Sequence, residues 1–226
     1  MPDIKTALNG ADRPQLARGR RFRLQFSLRS LLIILLLVSI GMSWIGVKMH
    51  HARGQRRAVE AISELGGWVQ YHWQIAGKTE PPGPGWLREL FGVDLFANVA
   101  QVSLKETAAT DADLEHLDDL PHLAILDLAD TQITDAGLEH LGRLNALAVL
   151  HLSGTGITDA GLEDVRDLSN LQELMLIETH VTDAGMEHLT GLVNLQVLGL
   201  LGTNVTREGV GKLQQSLPDV VAFGAR

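Results

Sequence analysis

The sequence predicts an α/β fold: a solenoid of 24-residue strand-helix repeats with a parallel concave sheet, set after an N-terminal transmembrane helix. Three observations predict it. From Val99 onward one pattern returns every 24 residues, clearest from Leu123 to Leu144. Inside each copy the apolar spacing passes from a short strand-like alternation to a spacing of three, so each unit pairs a strand with a helical return. Ahead of the array, Leu31 to Val47 holds no charged residue and is bracketed by Arg29 and Lys48.

The first element is a basic tail, residues 1–29, and the second is the span, residues 30–47. With Ser30 the apolar run is about 27 Å long as a helix, and snorkelling Arg29 and Lys48 close the gap to a hydrocarbon core of ~30 Å. Trp44 sits where an interfacial anchor belongs. Seven basic residues precede the span (Lys5, Arg13, Arg18, Arg20, Arg21, Arg23, Arg29) and four follow it closely (Lys48, Arg53, Arg56, Arg57). That balance predicts a cytoplasmic N-terminus, a single pass through the cytoplasmic membrane and repeats outside the cytoplasm. Cleavage as a signal peptide is the rival expectation, and the long basic region, the long apolar run and the lack of an Ala-x-Ala site oppose it.

Residues 48–66 read as a juxtamembrane helix or stalk, because Ala58, Ile62 and Leu65 recur at helical spacing and stop at Gly66-Gly67. The membrane helix is expected to run on to that point, with Gly54 as its weak link. Residues 67–98 read as an N-terminal cap. There Val69, Tyr71 and Trp73 alternate as a strand that would cover the sheet edge, Pro81, Pro82 and Pro84 mark a loop, and Trp86 to Phe91 form a short amphipathic helix.

The repeats occupy residues 99–204, with leucine-bearing strands beginning at Leu123, Leu147, Leu171 and Leu195 after a first strand at Val99, Val102 and Leu104. Thr131, Thr155, Thr179 and Thr203, with Thr107 before them, recur three positions past the last strand leucine. Next comes Thr-Asp-Ala-Gly, as at Thr134 to Gly137, Thr158 to Gly161 and Thr182 to Gly185. Thr is expected to cap a helix there and Asp to oppose its dipole, while the Gly permits close packing. Residues 205–226 read as a capping repeat with Val205, Val210, Leu213 and Leu217, in which Val220 and Phe223 match strand leucines only if one residue is inserted near Ser216.

These residues resemble the leucine-rich repeat family, in the subclass of about 24 to 26 residues whose second half is a helix. In that family Asn or Cys often holds the position of Thr131, where stacked copies bond the backbone at the bend out of the strand; a Thr hydroxyl can serve there. Phe26-Ser27-Leu28-Arg29, the short span, the basic helix, Leu65-Gly66-Gly67, the Pro-Pro-Gly-Pro turn and the repeats together resemble membrane-anchored leucine-rich repeat proteins of planctomycete bacteria, over nearly the whole chain from Phe22. The resemblance implies an architecture and brings no biochemistry with it. Similar motifs occur in repeats of F-box ubiquitin-ligase receptors, but no F-box precedes these repeats, so that role is not carried over.

Composition narrows the function. There is no cysteine, which removes disulfides, thiolate chemistry and Cys-based zinc sites. From Val99 the chain carries 20 acidic residues against Lys105, Arg143, Arg166, Arg207, Lys212 and Arg226, so nucleic acid and anionic lipid should be repelled and a cationic partner attracted. His116, His140 and His188 share one repeat position, yet neighbouring helices are about 10 Å apart, too far for bonds of about 2 Å to one metal. Gly211-Lys212 lacks the rest of a P-loop, there is no His-Glu-x-x-His, and Ser153 has no nucleophile elbow around it. No catalytic residue, metal or cofactor is therefore expected.

The outward positions of the sheet form three columns. They are Gln101, Ile125, Val149, Glu173, Val197; then Ser103, Asp127, His151, Met175, Gly199; then Lys105, Ala129, Ser153, Ile177, Leu201. Apolar residues gather toward the C-terminal half, where a merely solvated face would be polar. The partner-binding candidates are Ile125, Asp127, Val149, His151, Glu173, Met175, Ile177, Val197 and Leu201, with His151 placed to pair with Asp127. The expected function is non-catalytic protein binding by a membrane-anchored solenoid, with membrane contact through residues 30–47. The alternative is a structural envelope protein that self-associates, since Phe223 is the only aromatic in the array and the usual hot-spot Trp and Tyr are missing.

Overall fold

The computed structural model describes residues 28–226, with the side chains of residues 28–31, 34, 41 and 44 left aside. Most of the basic tail, the leading Phe26-Ser27 and the Trp44 side chain lie outside what is described. By its contacts the chain divides into residues 1–43 and 44–226. The first contributes the start of helix α1 (Leu28–Glu64), which continues unbroken through Gly54 into the second. Among the described residues no helix is long and apolar enough to cross a membrane.

Residues 44–226 are built on one seven-stranded sheet in sequence order. Strand β1 (Trp68–Tyr71) lies antiparallel on β2 (Val99–Ser103). The strands β3 (Ile125–Asp127), β4 (Val149–His151), β5 (Glu173–Met175), β6 (Val197–Gly199) and β7 (Val221–Phe223) follow in parallel. Gln101, Ile125, Val149, Glu173, Val197 and Val221 align strand to strand, so the 24-residue period is the register of the sheet. Leu126, Leu150, Leu174 and Leu198 face the opposite way and are fully buried. The period continues into β7 without the inserted residue expected near Ser216. Ala222 takes the buried-side place beside Leu198, and Phe223 takes the outward place beside Gly199.

The returns behind the sheet are tighter than the helices expected. Residues Asp111–Asp119, Leu141–Arg143 and Gly185–Gly191 are 3₁₀-helix, and α4 (Asp135–Leu138) and α5 (Leu162–Val165) are single turns. The leucine spacing explains this. Leu114, Leu117 and Leu120 are three apart and all buried, which puts them in line on a helix of three residues per turn and off line on one of 3.6, while Leu162, Val165 and Leu168 keep that spacing over an α turn too short to drift far. In the last repeat Val210, Leu213 and Leu217 are spaced three and then four, and there a true α-helix forms, α6 (Arg207–Ser216).

The Thr-Asp-Ala-Gly motif builds a ladder between repeats. Asp135 does not simply face its own helix; its two carboxylate oxygens accept from the Thr158 N–H at 2.8 Å and hydroxyl at 2.6 Å, one repeat on. The same pair of bonds joins Asp111 to Thr134, Asp159 to Thr182 and Asp183 to Thr206. The motif glycine makes room for it. A Cβ on Gly161 would lie 2.4 Å from Asp135 Oδ1, and one on Gly209 would lie 2.1 Å from Asp183 Oδ1. Thr206 also caps α6, accepting from the Gly209 N–H at 3.2 Å, whereas Thr134 makes no cap bond. The buried Thr131, Thr155, Thr179 and Thr203 donate to the carbonyl three residues back, closing the bend within a repeat rather than between copies.

Residues 48–66 do not stand free as a stalk. Ala58 and Ile62 are buried in the same core as the first repeat leucines. Gln55, only 6% exposed, fastens α1 to the sheet: its amide donates to Asp94 Oδ1 and to the Ala97 carbonyl, both at 2.8 Å, and its oxygen accepts from the Val99 N–H at 3.1 Å. The helix ends before Gly66, whose φ of 86° belongs to the left-handed region. Trp73 does not extend β1. Gln74 Oε1 accepts from the Tyr71 N–H at 2.8 Å and the chain turns into α2 (His72–Ile75). The short amphipathic helix forms as expected, as α3 (Gly85–Phe91).

Candidate protein-binding face

Each outward side chain is set by its strand. Because neighbouring strands are in register and about 4.8 Å apart, the columns stack side chains from successive repeats within contact distance. The three columns read from the repeat therefore exist as drawn through β6, and β7 adds Val221 to the first and Phe223 to the second.

Over β6 and β7, with Met175 and Ile177 beside them, the face is apolar. Gly199 leaves a gap that its neighbours fill: a Cβ there would meet Met175 Sδ at 2.6 Å, Phe223 Cζ at 3.1 Å and Ile177 Cγ1 at 3.4 Å. Met175, Ile177 and Phe223 thus converge over one glycine. Beside them Leu201 is 59% exposed, Val221 64% and Phe223 44%, while Val197 is half-buried. Burial of even part of this surface in a partner is worth roughly 25 cal/mol per Å².

Over β3 to β5 the face is polar and acidic. His151 Nε2 lies 3.1 Å from Glu173 Oε1, and its Nδ1 lies 4.0 Å from Asp127 Oδ1. The closer partner is Glu173 on the following strand, not the Asp127 of the preceding strand expected from sequence. Asp127 is held by its own turn, accepting from the Ala129 N–H at 3.1 Å. Ile125 and Val149, both half-buried, lie toward the N-terminal side and outside the apolar convergence. Of the nine residues singled out from sequence, Met175, Ile177, Val197 and Leu201 fall in the apolar group, and Asp127, His151 and Glu173 form the polar group beside it.

Sequence reasoning missed Val221 and Phe223. The period alone would have found them, since Val197 and Gly199 plus one repeat give those positions. Among the described residues no three His, Asp or Glu side chains are placed to hold a metal ion.

The comparisons address the repeats themselves. Residues 119–142 and 146–165 match a family model described as a leucine-rich repeat. These two segments are similar to leucine-rich repeats. An internalin of Listeria monocytogenes aligns at 22% identity over 50% of this chain and 38% of its own, with a TM-score of 0.36. A leucine-rich repeat protein of Leptospira interrogans aligns at 22% identity over 48% and 27%, with a TM-score of 0.39. The PEPR1–AtPEP1 structure aligns at 22% identity over 57% and 18%, with a TM-score of 0.39. The chain thus spans well under half the length of each of these leucine-rich repeat structures. No curated protein matches it significantly. Proteins of the leucine-rich repeat family are typically non-enzymatic binding scaffolds.

Proposed function

We propose that this is a membrane-anchored leucine-rich repeat protein of the planctomycete type, which binds a protein partner on the C-terminal half of its open sheet face and performs no chemistry of its own. The observation that carries the binding role is the convergence of Met175, Ile177 and Phe223 over Gly199, beside exposed Leu201 and Val221. Outward positions of a sheet that only faces water have no reason to gather apolar side chains of successive strands. The Asp127, His151 and Glu173 group next to them favours a partner that brings an apolar anchor flanked by basic residues.

The anchor is residues 30–47. Supporting it, the run from Leu31 to Val47 is uncharged, and its described large apolar side chains are each more than 40% exposed, Leu37 at 62% and Met42 at 64% among them. Apolar side chains left open at ten positions of a run this long need a cover, and a bilayer is one that matches its length. The basic residues ahead of the run favour a cytoplasmic N-terminus with the repeats outside.

Two experiments test the two halves. Met175→Asp and Leu201→Asp should abolish capture of a distinct partner by the full chain; a change only in oligomer size would instead establish self-association through the same face. Protease digestion of a chain tagged after Arg226, in intact cells and in spheroplasts, should cleave the repeats only once the outer barrier is opened. Protection in both would place the repeats in the cytoplasm.

A further inference from the structure

A second apolar surface lies at the opposite end of residues 44–226, and the repeats do not use it. On α3, Trp86 and Leu90 are four residues apart, hence on one face, and are 64% and 68% exposed; Phe91 beside them is 46% exposed. A seven-residue helix that buries none of its residues gains little from packing and has a surplus of apolar surface.

The position of this helix says what covers it. Leu90 and Phe91 line a cleft of about 220 Å³ together with Met49, Ala52, Arg53 and Arg56 of α1. The residues after α3 reach higher on α1: Leu95 and Phe96 line a second cleft with Ile45 and Lys48. The turn before α3 packs on that same Phe96, since a Cβ on Gly83 would lie 2.6 Å from its ring. The stretch from Gly83 to Phe96 therefore wraps the part of α1 where the uncharged run ends, at Val47. Between Ile45 and Arg56 the helix rises about 16 Å, which includes the headgroup layer just outside a hydrocarbon core.

Charge points the same way. Residues 48–57 hold Lys48, Arg53, Arg56 and Arg57 and no acidic residue; Arg53 is exposed with no ion-pair partner among the described residues, while Arg56 shares its charge with exposed Glu60 at 2.9 Å and Arg57 lies 3.6 Å from Asp119. The repeats, with 20 acidic residues to six basic, could not approach an anionic surface. A Trp, a Leu and a Phe projecting beside exposed arginines is the composition of a segment lying in a membrane interface.

We propose that α3, with Trp86, Leu90 and Phe91, inserts into the headgroup region of a bilayer bearing anionic lipids, and that Arg53 and Arg56 of α1 contact the phosphates. This rests on the membrane-anchor reading of residues 30–47 and adds a second, monotopic contact. With two contacts, the first repeat is held at a set height above the bilayer, and the apolar face over β6 and β7 is directed away from the lipid.

The test uses the absence of cysteine. Full chains carrying a single Leu90→Cys, Leu36→Cys or Val193→Cys, each at an exposed position, are labelled with an environment-sensitive fluorophore and reconstituted in phosphatidylcholine vesicles containing phosphatidylglycerol. The probe at position 90 should be blue-shifted, shielded from aqueous iodide and quenched by a lipid-borne spin label, while the probe at 193 remains open to iodide. Leaving out phosphatidylglycerol, or changing Arg53 and Arg56 to Gln, should return the probe at 90 toward the behaviour of the probe at 193 and leave position 36 unchanged. If the probe at 36 is shielded and the one at 90 is as open as the one at 193, the interfacial contact is overturned and the anchor stands. If 36 is open as well, the anchor fails and the contact with it. Shielding of 90 that ignores both lipid charge and the arginine changes would overturn the phosphate contacts.

Discussion

At its N-terminal edge the sheet is covered: β1 runs antiparallel across β2, Ala58 and Ile62 of α1 enter the repeat core, and Gln55 ties three backbone or carboxylate groups together out of solvent. At its C-terminal edge, among the described residues, β7 pairs only with β6, and two of its three side chains, Val221 and Phe223, are exposed. Apolar surface at the first end is converted into stability, whereas apolar surface at the second is left available and continues inward over Met175 and Ile177. On the function proposed above, stability and recognition reside at opposite ends of one sheet.

The difference can be broken at the closed end first. Ile62→Ala removes a side chain only 2% exposed and should cost about 3 kcal/mol, read as a lower denaturant midpoint with early loss of amide protection in β1 and β2. Gln55→Ala should cost about 2 kcal/mol, because the Val99 N–H and the Ala97 carbonyl lose their partner in a buried place. It should loosen β1 without altering exchange in β6 or β7. In the middle of the array Gly161→Ala drives a methyl against Asp135 and Leu138, and a loss of about 1 to 2 kcal/mol is expected, shared with Asp135→Ala because both break the same rung. At the open end Leu201→Asp should move stability by no more than about 0.5 kcal/mol while removing partner binding.

Titration separates the ends by a smaller margin. Burial, helped by the charge of Asp94 and by the bond its carboxylate accepts from the phenol at 2.9 Å, pushes the Tyr71 pKa well above the usual value of about 10. The unfolded chain therefore releases this proton first. The contribution is present in full below about pH 10 and is lost as pH rises from there through the folded value. Tyr71 is the single tyrosine, so phenolate absorbance reads the closed end alone, and Gln55→Ala should bring that titration back toward the free value. Near the other end the bonds from Thr206 hold the Asp183 carboxyl below its ordinary range. Its contribution is present above about pH 4 and is lost as pH falls through the depressed value, and the Thr206 amide signal should report it.

Much of this was legible in residues. A strict 24-residue period became strand register because β3 to β6 repeat the same inward leucine, and Gly66-Gly67 stopped α1 where a left-handed residue was needed. Three features were not legible, each for a physical reason. The spacing of three leucines was read as a helix face, although only a 3₁₀ turn keeps i and i+3 in line. The motif Asp resembled a dipole partner in its own turn, and its bond to Thr one repeat later depends on a stacking distance that a single repeat does not contain. Phe223 was misplaced because an aromatic was matched to a buried leucine position, when the period puts it outward.

The central claim, that recognition belongs to the C-terminal half of the open face, is tested most directly by photo-crosslinking from single positions along it in living cells. Probes replacing Met175, Leu201 and Phe223 should give adducts with one distinct polypeptide, and probes at Gln101 and at exposed Glu163 on the return α5 should give none. Equal adducts from all five positions, or adducts only of twice the chain's mass, would contradict it.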